Sequence, residues 1–405
     1  MFRQIRYLGA FTGVVALMGL FPSAVQAQLY TAPLNPTDTS AGSAWSNPAA
    51  MTSLTSLTSS AGVGVMIPNF KFETEVAEAG GGDSGQAGLT SVLPTAFMVA
   101  PITDRFRFGV SVFSPLGGPN GLGWEFDEDW AGRYGSIRTT FASISIAPSV
   151  AYKATDTWSF GGGIAAQWLK ANLGNALNTP FPGDGKAELK NLAGWSGRFF
   201  VGTHYQVSPA TSFGRVYRSK WSPNLKGDLV ISGVSTALPV ADFELEANLP
   251  QQVELGIEHA FSPVWILAVS GDWEDWSQFN NLGVRFRIED GDIQSTNIDF
   301  KFHSAYSVGA SLTHVIGTSN VLAFGAKYAS SPVDDEDRTI TLPADSSLTL
   351  NLGLARLHSE STMYQVGGAV VFSGDARVSE VHQGFTFAGR FDTNVAFVLA
   401  GGIQW

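Results

Sequence analysis

Little in this chain is arranged for bond-making chemistry. Gly82-Asp83-Ser84-Gly85 has the local form of a serine-protease nucleophile segment, but it sits beside Gly80 and Gly81 with no companion histidine motif. A triad is defined by geometry rather than by a tetrapeptide. The six histidines (His204, His259, His303, His314, His358 and His382) are scattered and form no His-Glu-x-x-His pair. No glycine loop ending in Lys-Ser/Thr offers to cradle phosphate. There is no cysteine, which excludes thiolate metal sites, disulfides and a lipoprotein anchor. The acidic runs Glu125–Asp129 (interrupted by Phe126) and Asp334–Asp337 lack the ligand alternation and glycine of a calcium loop. They read as solvated loop charge, bridged to lipopolysaccharide by divalent ions. Neither an enzyme nor a cofactor is expected. The residues suited to recognition are three cations within alternating apolar segments: Arg107, Arg218 and Lys327. A carboxylate taken out of water needs such a positive partner. The alternative for each is a lumen charge paired with an inner-face carboxylate.

Those cations point inward only if strands carry them, and the chain as a whole calls for strands. Arg3 and Arg6 precede an apolar run from Tyr7 to Phe21, followed by Pro22, Val25 and Ala27. That pattern is a secretory signal peptide, with cleavage expected after Ala27. The run is about 15 residues, shorter than the ~20 that span a bilayer as a helix. Removing its two arginines takes the formal charge from −11 to −13, so nucleic acid is not an expected partner. No later stretch approaches about 18 uninterrupted apolar residues, so no helix is expected to cross a membrane. Yet only 15% of residues are charged, against roughly 25% in soluble domains. An exported, weakly apolar, helix-poor chain is expected to be a transmembrane β-barrel.

Period-two alternation carries that expectation through the sequence. Phe391, Thr393, Val395, Phe397, Leu399, Gly401, Ile403 and Trp405 fall on one face of the last strand. Asp392, Asn394, Ala396, Val398 and Ala400 fall on the other. Phe106, Phe108, Val110 and Val112 alternate with Arg107, Gly109 and Ser111, and similar runs cover residues 143–152, 158–168 and 322–328. A soluble sandwich can alternate too, but inner faces of Gly, Ala and Ser with aromatics at strand ends favour a barrel with aromatic girdles. The same parity turns Arg215 outward. Six tight turns are expected near residues 103, 155, 208, 262, 318 and 359. Seven longer loops are expected at about 77–88, 116–136, 174–191, 233–239, 289–294, 330–346 and 373–390. They connect 14 antiparallel strands, with Trp265–Phe286 taken as one long strand. The expected division is a signal peptide at 1–27, an N-terminal segment at 28–60 folded into the lumen, and a transmembrane barrel at 61–405.

Ordered motifs then accumulate. Asn47-Pro48-Ala49 resembles the hatch of the FadL-type long-chain fatty acid transporters (the OmpP1/FadL/TodX-like family). Asp129-Trp130-Ala131-Gly132-Arg133-Tyr134 and Ala147-Pro148-Ser149-Val150-Ala151-Tyr152 resemble its third-to-fourth strand region. Tyr217-Arg218-Ser219 with Lys226-Gly227-Asp228, Leu249-Pro250 with Trp273 to Phe279, and Tyr328 with Ser331-Pro332-Val333, Arg338 and Leu342-Pro343 continue the likeness. The resemblance spans about residues 28–405. It implies a monomeric 14-stranded barrel with a hatch in its lumen and a kinked third strand opening a side exit into the bilayer. It also implies passive carriage of long-chain fatty acids or aromatic hydrocarbons. The hatch turn would be set by Asn47, Pro48 and Ala49, and the exit would fall near Ser114, Pro115 and Gly117, in the stretch up to Pro119. Proline cannot donate to a ladder and glycine leaves a gap in the wall. Outer-membrane lipid, lipopolysaccharide and, through the aromatic end of the last strand, the barrel assembly machinery are the implied partners. One departure stands out. Residues 174–191 are too short for the helical insertion that forms the external capture groove of the fatty-acid carriers. A structural or adhesive barrel without transport, and a porin for polar solutes, are the competing readings.

Overall fold

The computed structural model describes residues 35–180, 182–234, 241–280, 282–287, 294–359 and 361–405. The expected signal peptide and the start of the N-terminal segment lie outside the described residues.

Fourteen strands form one closed antiparallel wall. They are β1 (Thr58–Ala77), β2 (Ser91–Pro101), β3 (Phe106–Phe113), β4 (Arg138–Lys153), β5 (Trp158–Leu177), β6 (Gly185–Ser208) and β7 (Thr211–Arg218), followed by β8 (Gln252–Ser262), β9 (Trp265–Glu274), β10 (Ala305–Ile316), β11 (Asn320–Ala329), β12 (Ser347–Leu357), β13 (Met363–Ser373) and β14 (Phe385–Gln404). Each pairs with the next, and β14 returns to β1 from Ser60↔Gln404 to Ala77↔Phe387. Closure leaves the wall without an edge, which a lipid-facing sheet requires.

Alternation makes the strands and sets their faces. Ile164, Val150, Val308, Val366 and Leu399 are exposed on the outside, while Ser111, Ser145, Ser149 and Ala151 are buried inside. Arg215 is exposed, as its parity requires. Aromatics mark both borders of the apolar band. Phe106 with Tyr152, and Trp158 with Tyr205, pair near the short-turn end at 4.9 and 4.4 Å. Trp195, Tyr306 and Tyr328 are exposed towards the other end.

The six tight turns fall where the sequence puts them, and five are tied by hydroxyls. The side-chain oxygens of Thr103, Thr155, Ser208, Ser262 and Ser359 accept from backbone N–H groups two or three residues on. Such short hydroxyl bonds stand in for backbone turn bonds. The rim at the other end is uneven: β6 runs 24 residues whereas β7 has 8, and about 9–11 suffice to cross. Above β7 to β10 an extra sheet of Asn224–Ser232, Ala241–Glu246, Leu282–Arg287 and Gln294–Ile298 continues from β6. Its inner side chains, Leu225, Phe243, Leu245, Leu282 and Phe286, join the main apolar cluster of the molecule.

Four expectations change. Trp265–Phe286 is not one strand, because β9 stops at Glu274 and a 3-10 turn at Trp276–Asn280 follows. Leu282–Arg287 then pairs with Ala241–Glu246, outside the wall, so the count of strands is unaffected. Phe391 is buried rather than lipid-facing. A bulge opposite Lys71 and Phe72 leaves Asp392 unpaired and inverts the parity below Thr393. The loop expected at 174–191 is mostly strand, with β5 and β6 paired up to Leu177↔Gly185. The loop expected at 373–390 holds a hairpin of Val378–His382 with the start of β14.

Candidate functional site

Residues 35–57 precede β1, and the stretch 35–54 packs inside the barrel while residues 55–57 are exposed. Ser43–Ser46 forms one helical turn and Pro48–Ser53 a 3-10 turn. Asn47 joins them in an extended conformation, and its Oδ1 accepts from Ala49 N at 3.1 Å, capping a turn that Pro48 opens without a lost donor. Its Nδ2 donates to Pro36 O (2.7 Å) and to Thr203 O on β6 (3.0 Å). Asn47 and Ala49 are fully buried. Trp45 lies between Phe113 and Phe200, with ring centroids 4.7 and 4.9 Å away.

The wall accommodates this segment by removing side chains. A Cβ at Gly109 would fall 2.5 Å from Met51 Sδ, one at Gly161 2.5 Å from Ala49 N, and one at Gly202 2.1 Å from Asn47 Oδ1. At Gly214 it would meet Pro36 O at 2.2 Å and at Gly256 Asn35 Oδ1 at 2.1 Å. These five glycines lie on β3, β5, β6, β7 and β8 and form a track of bare backbone under the segment. Sequence reading missed the track. The signal was available, since each glycine falls on the inward parity of its strand.

The three cations do point inward, and all three are engaged. Arg107 donates from Nε to Leu54 O (2.5 Å) and from Nη1 to Thr103 O (2.7 Å), so it ties the end of the segment to the short-turn end. Arg218 is wholly buried. It donates to Glu254 at 2.9 Å and to the carbonyls of Trp45 and Ser46 at 3.2 and 2.9 Å. Lys327 pairs with Asp272 at 2.7 Å. Glu254 faces Asp272, and Gln252 faces Glu274, across the β8–β9 ladder, so the two ion pairs belong to one belt. Breaking one member of such a buried pair costs about 3–5 kcal/mol, because the other charge is left unpaired. Glu254, Asp272 and Glu274 were not singled out in the sequence; parity on β8 and β9 identifies them.

Ser114, Pro115 and Gly117 lie elsewhere, in an interruption of the wall. β3 ends at Phe113, and β2–β3 pairing begins only at Thr95↔Phe113, so Ser91 to Pro94 have β1 alone as a ladder partner. Regular pairing with β4 resumes at Leu122↔Phe141. Residues 114–121 bridge the opening with one backbone bond, from Ser143 N to Gly117 O (3.0 Å), and with side-chain bonds. Ser143 Oγ accepts from Leu116 N (2.7 Å), Ser91 Oγ from Gly118 N (3.0 Å) and Asn120 Oδ1 from Val92 N (2.9 Å). Gly117 has φ +82°, a left-handed conformation that glycine adopts freely. A Cβ at Gly118 would lie 1.5 Å from Val92 O.

The remaining motifs order the outer loops. Asp83 accepts from Thr74 N (2.6 Å) and Ser84 Oγ from Asp127 N (3.1 Å). Arg133 and Tyr134 both bind Asp184 at 2.7 Å, clasping the 116–136 loop to the β5–β6 hairpin. Asp335 pairs with Arg338 at 2.7 Å. On the far side of the lumen from the glycine track, a cavity of about 270 Å3 is bounded by Asp38, Glu258, Ala268, Thr313, Ala323 and Ala355, among others.

The family described as outer membrane protein transport protein (OMPP1/FadL/TodX) matches residues 35–401. A long-chain fatty acid transport protein of Escherichia coli O6:H1 is 27% identical over 390 residues, covering 84% of this chain and 83% of that protein. Outer membrane protein P1 of Haemophilus influenzae is 24% identical, covering 70% of each chain. Among solved structures, a Pseudomonas aeruginosa FadL homologue superposes with a TM-score of 0.80 at 20% identity, over 98% of this chain and 97% of that one. The Ralstonia pickettii toluene transporter TbuX does so with a TM-score of 0.68 at 18% identity, over 95% and 98%. With the closed barrel, the match along almost its whole length makes the chain an outer-membrane member of the OMPP1/FadL/TodX family of transport proteins.

Proposed function

We propose that this protein is a passive channel that takes hydrophobic small molecules, long-chain fatty acids first among them, from the cell surface and releases them sideways into the outer membrane. Residues 28–60 act as its gate and the interruption at 114–121 as its exit. The observation that carries this reading is the combination of a lumen occupied by residues 35–54 and a wall that lacks ladder bonds just above. A solute that cannot pass straight through has a route to the bilayer beside it. Burial in apolar surroundings is worth about 0.8 kcal/mol per methylene, and lateral release avoids returning that energy to water.

Arg107 and Arg218 serve the gate on this reading, since both donate to its carbonyls. Lys327 is already matched by Asp272. Fatty acid leads because the similar curated proteins carry that name. Aromatic hydrocarbons are the second reading, favoured by the short β5–β6 connection and by the similarity to toluene transporters. The channel works as a monomer, with lipopolysaccharide around its outer loops. The test is uptake of labelled oleate by a host lacking its own hydrophobic transporter, with the barrel verified in the outer membrane. Saturable uptake above empty vector is expected. Absence of uptake would reject oleate and move the search to labelled toluene.

A further inference from the structure

A second breach in the wall lies between β6 and β7. Their ladder runs from Ser208↔Thr211 to Phe200↔Arg218, and Ser219 adds a reciprocal pair of bonds with Phe199 at 2.9 and 3.1 Å. The next partner on that side of β6 is Lys226, opposite Ala193. Gly194 to Arg198 therefore keep ladder bonds to β5 alone. The opening holds a crevice of about 580 Å3 lined by Ile164, Trp195, Ser196, Arg198, Phe199 and Ser219. Ile164, Trp195 and Phe199 are exposed on the lipid side at 64%, 58% and 49%, and Trp195 stands in the outer aromatic border.

Behind these apolar lips the polar atoms are unspent. Arg198 Nε and Nη2, Ser196 Oγ and Gln167 Oε1 are sealed from solvent and have no hydrogen-bond partner among the described residues. Gln167 is the ladder partner of Ser196. Glu274 is already bonded, accepting from Gln252 (3.1 Å) and Trp276 (2.9 Å). A buried guanidinium is ordinarily paired, whereas Arg107, Arg218 and Lys327 all have their partners. A planar donor fork whose Nε and Nη2 have no hydrogen-bond partner among the described residues suits a carboxylate.

We propose that the β6–β7 crevice is a membrane-facing binding site for a single-chain carboxylate, its head on Arg198 and Ser196 and its chain against Ile164 and Phe199. The site gives amphiphiles already in the outer leaflet a place on the barrel wall separate from the interruption after β3. It deepens the transport reading and rests on it for the identity of the ligand. The test uses the purified full-length barrel in bilayer nanodiscs with a diazirine-bearing stearate, its methyl ester and a diazirine-bearing lysophosphatidate, mapping the labelled peptides. Labelling within residues 164–199 by the free acid is expected to exceed that by the ester about tenfold. It should fall to the ester's level in Arg198→Gln and recover in part in Arg198→Lys, with heat-modifiable mobility confirming that each variant folds. Equal labelling by acid and ester, or labelling indifferent to Arg198→Gln, would overturn the proposal. Preferential labelling by lysophosphatidate would overturn it in favour of a seat for resident phospholipid. Oleate uptake, measured alongside, separates the two readings: normal uptake with no labelling sinks this site alone, and labelling without uptake sinks the channel alone.

Discussion

On β3 and β5 to β8 five inward glycines let the lumenal segment lie against the wall, whereas β9 to β12 carry Ala268, Thr313, Ala323 and Ala355 around about 270 Å3 of space. One barrel thus has a solid half and a hollow half. The difference does not come from the backbone, which is the same ladder throughout. It comes from where residues 35–54 pack, held against that side by two arginines that donate to their carbonyls. A glycine in a strand costs about 0.5–1 kcal/mol relative to alanine, so five on one track are tolerated only because close packing offsets them.

Substitutions on the two sides should separate the solid half from the hollow one. Arg218→Ala should have the largest effect, about 3–5 kcal/mol, because it strands Glu254 and releases the Trp45 and Ser46 carbonyls together. Urea titration of the folded barrel measures it, and adding Glu254→Gln should restore a substantial part. If the double variant is no more stable than Arg218→Ala, the pair is not the clamp described here. Gly202→Leu comes next. Overpacking of about 1–3 kcal/mol directed at Asn47 should unseat the segment and raise leak of small sugars into liposomes ten- to hundredfold, towards the level of a 28–60 deletion. Ala323→Leu in the hollow half should leave leak unchanged. Equal leak from both variants would erase the distinction between the halves.

Gly118→Leu probes the wall rather than the lumen. The close approach to Val92 O leaves no room for the side chain. Oleate uptake should fall about fivefold, corresponding to about 1 kcal/mol, while sugar leak stays at its basal level. Uptake that survives would separate the interruption from the exit. The smallest effect is a pH dependence above the wall. Burial opposes the charge of Asp275, but hydrogen bonds from Ser277, Gln251 and Gln278 outweigh it and hold the carboxyl below its ordinary value. Its stabilising contribution is present above about pH 3.9, the unfolded value, and is lost as pH falls through the lower folded value. Protection of the Trp276–Asn280 amides, corrected for the intrinsic exchange rate, should therefore fall as pH drops below about 4 in the native chain, and Asp275→Asn should flatten that dependence.

Much of this was legible one residue at a time. Parity placed Arg107, Arg218 and Lys327 inward and Arg215 outward, because successive side chains on a strand alternate regardless of what they meet. Hydroxyl and Asp/Pro/Ser signals located the six short turns, since those bonds form within two or three residues. Legibility failed where a contact depends on distant chain. The bulge at Asp392 exists only against Lys71 and Phe72, so local alternation assigned Phe391 to the wrong face. Trp265–Phe286 reads as one long strand, and the break after Glu274 is imposed by bonds to Asp275, one of them from Gln251 on the preceding connection.

The class of the molecule, the number of strands and the inward direction of its buried cations follow from period-two alternation and nearest-neighbour turn chemistry, which are properties of the chain read residue by residue. Closure of the barrel is what brings Arg107 and Arg218 to backbone carbonyls of the lumenal segment and sets five glycines beneath it. It also left Arg198 Nε and Nη2 without a hydrogen-bond partner among the described residues, behind a gap in the wall. Each of those facts is a distance between residues tens to hundreds of positions apart, set by the register of the closed barrel rather than by any local preference.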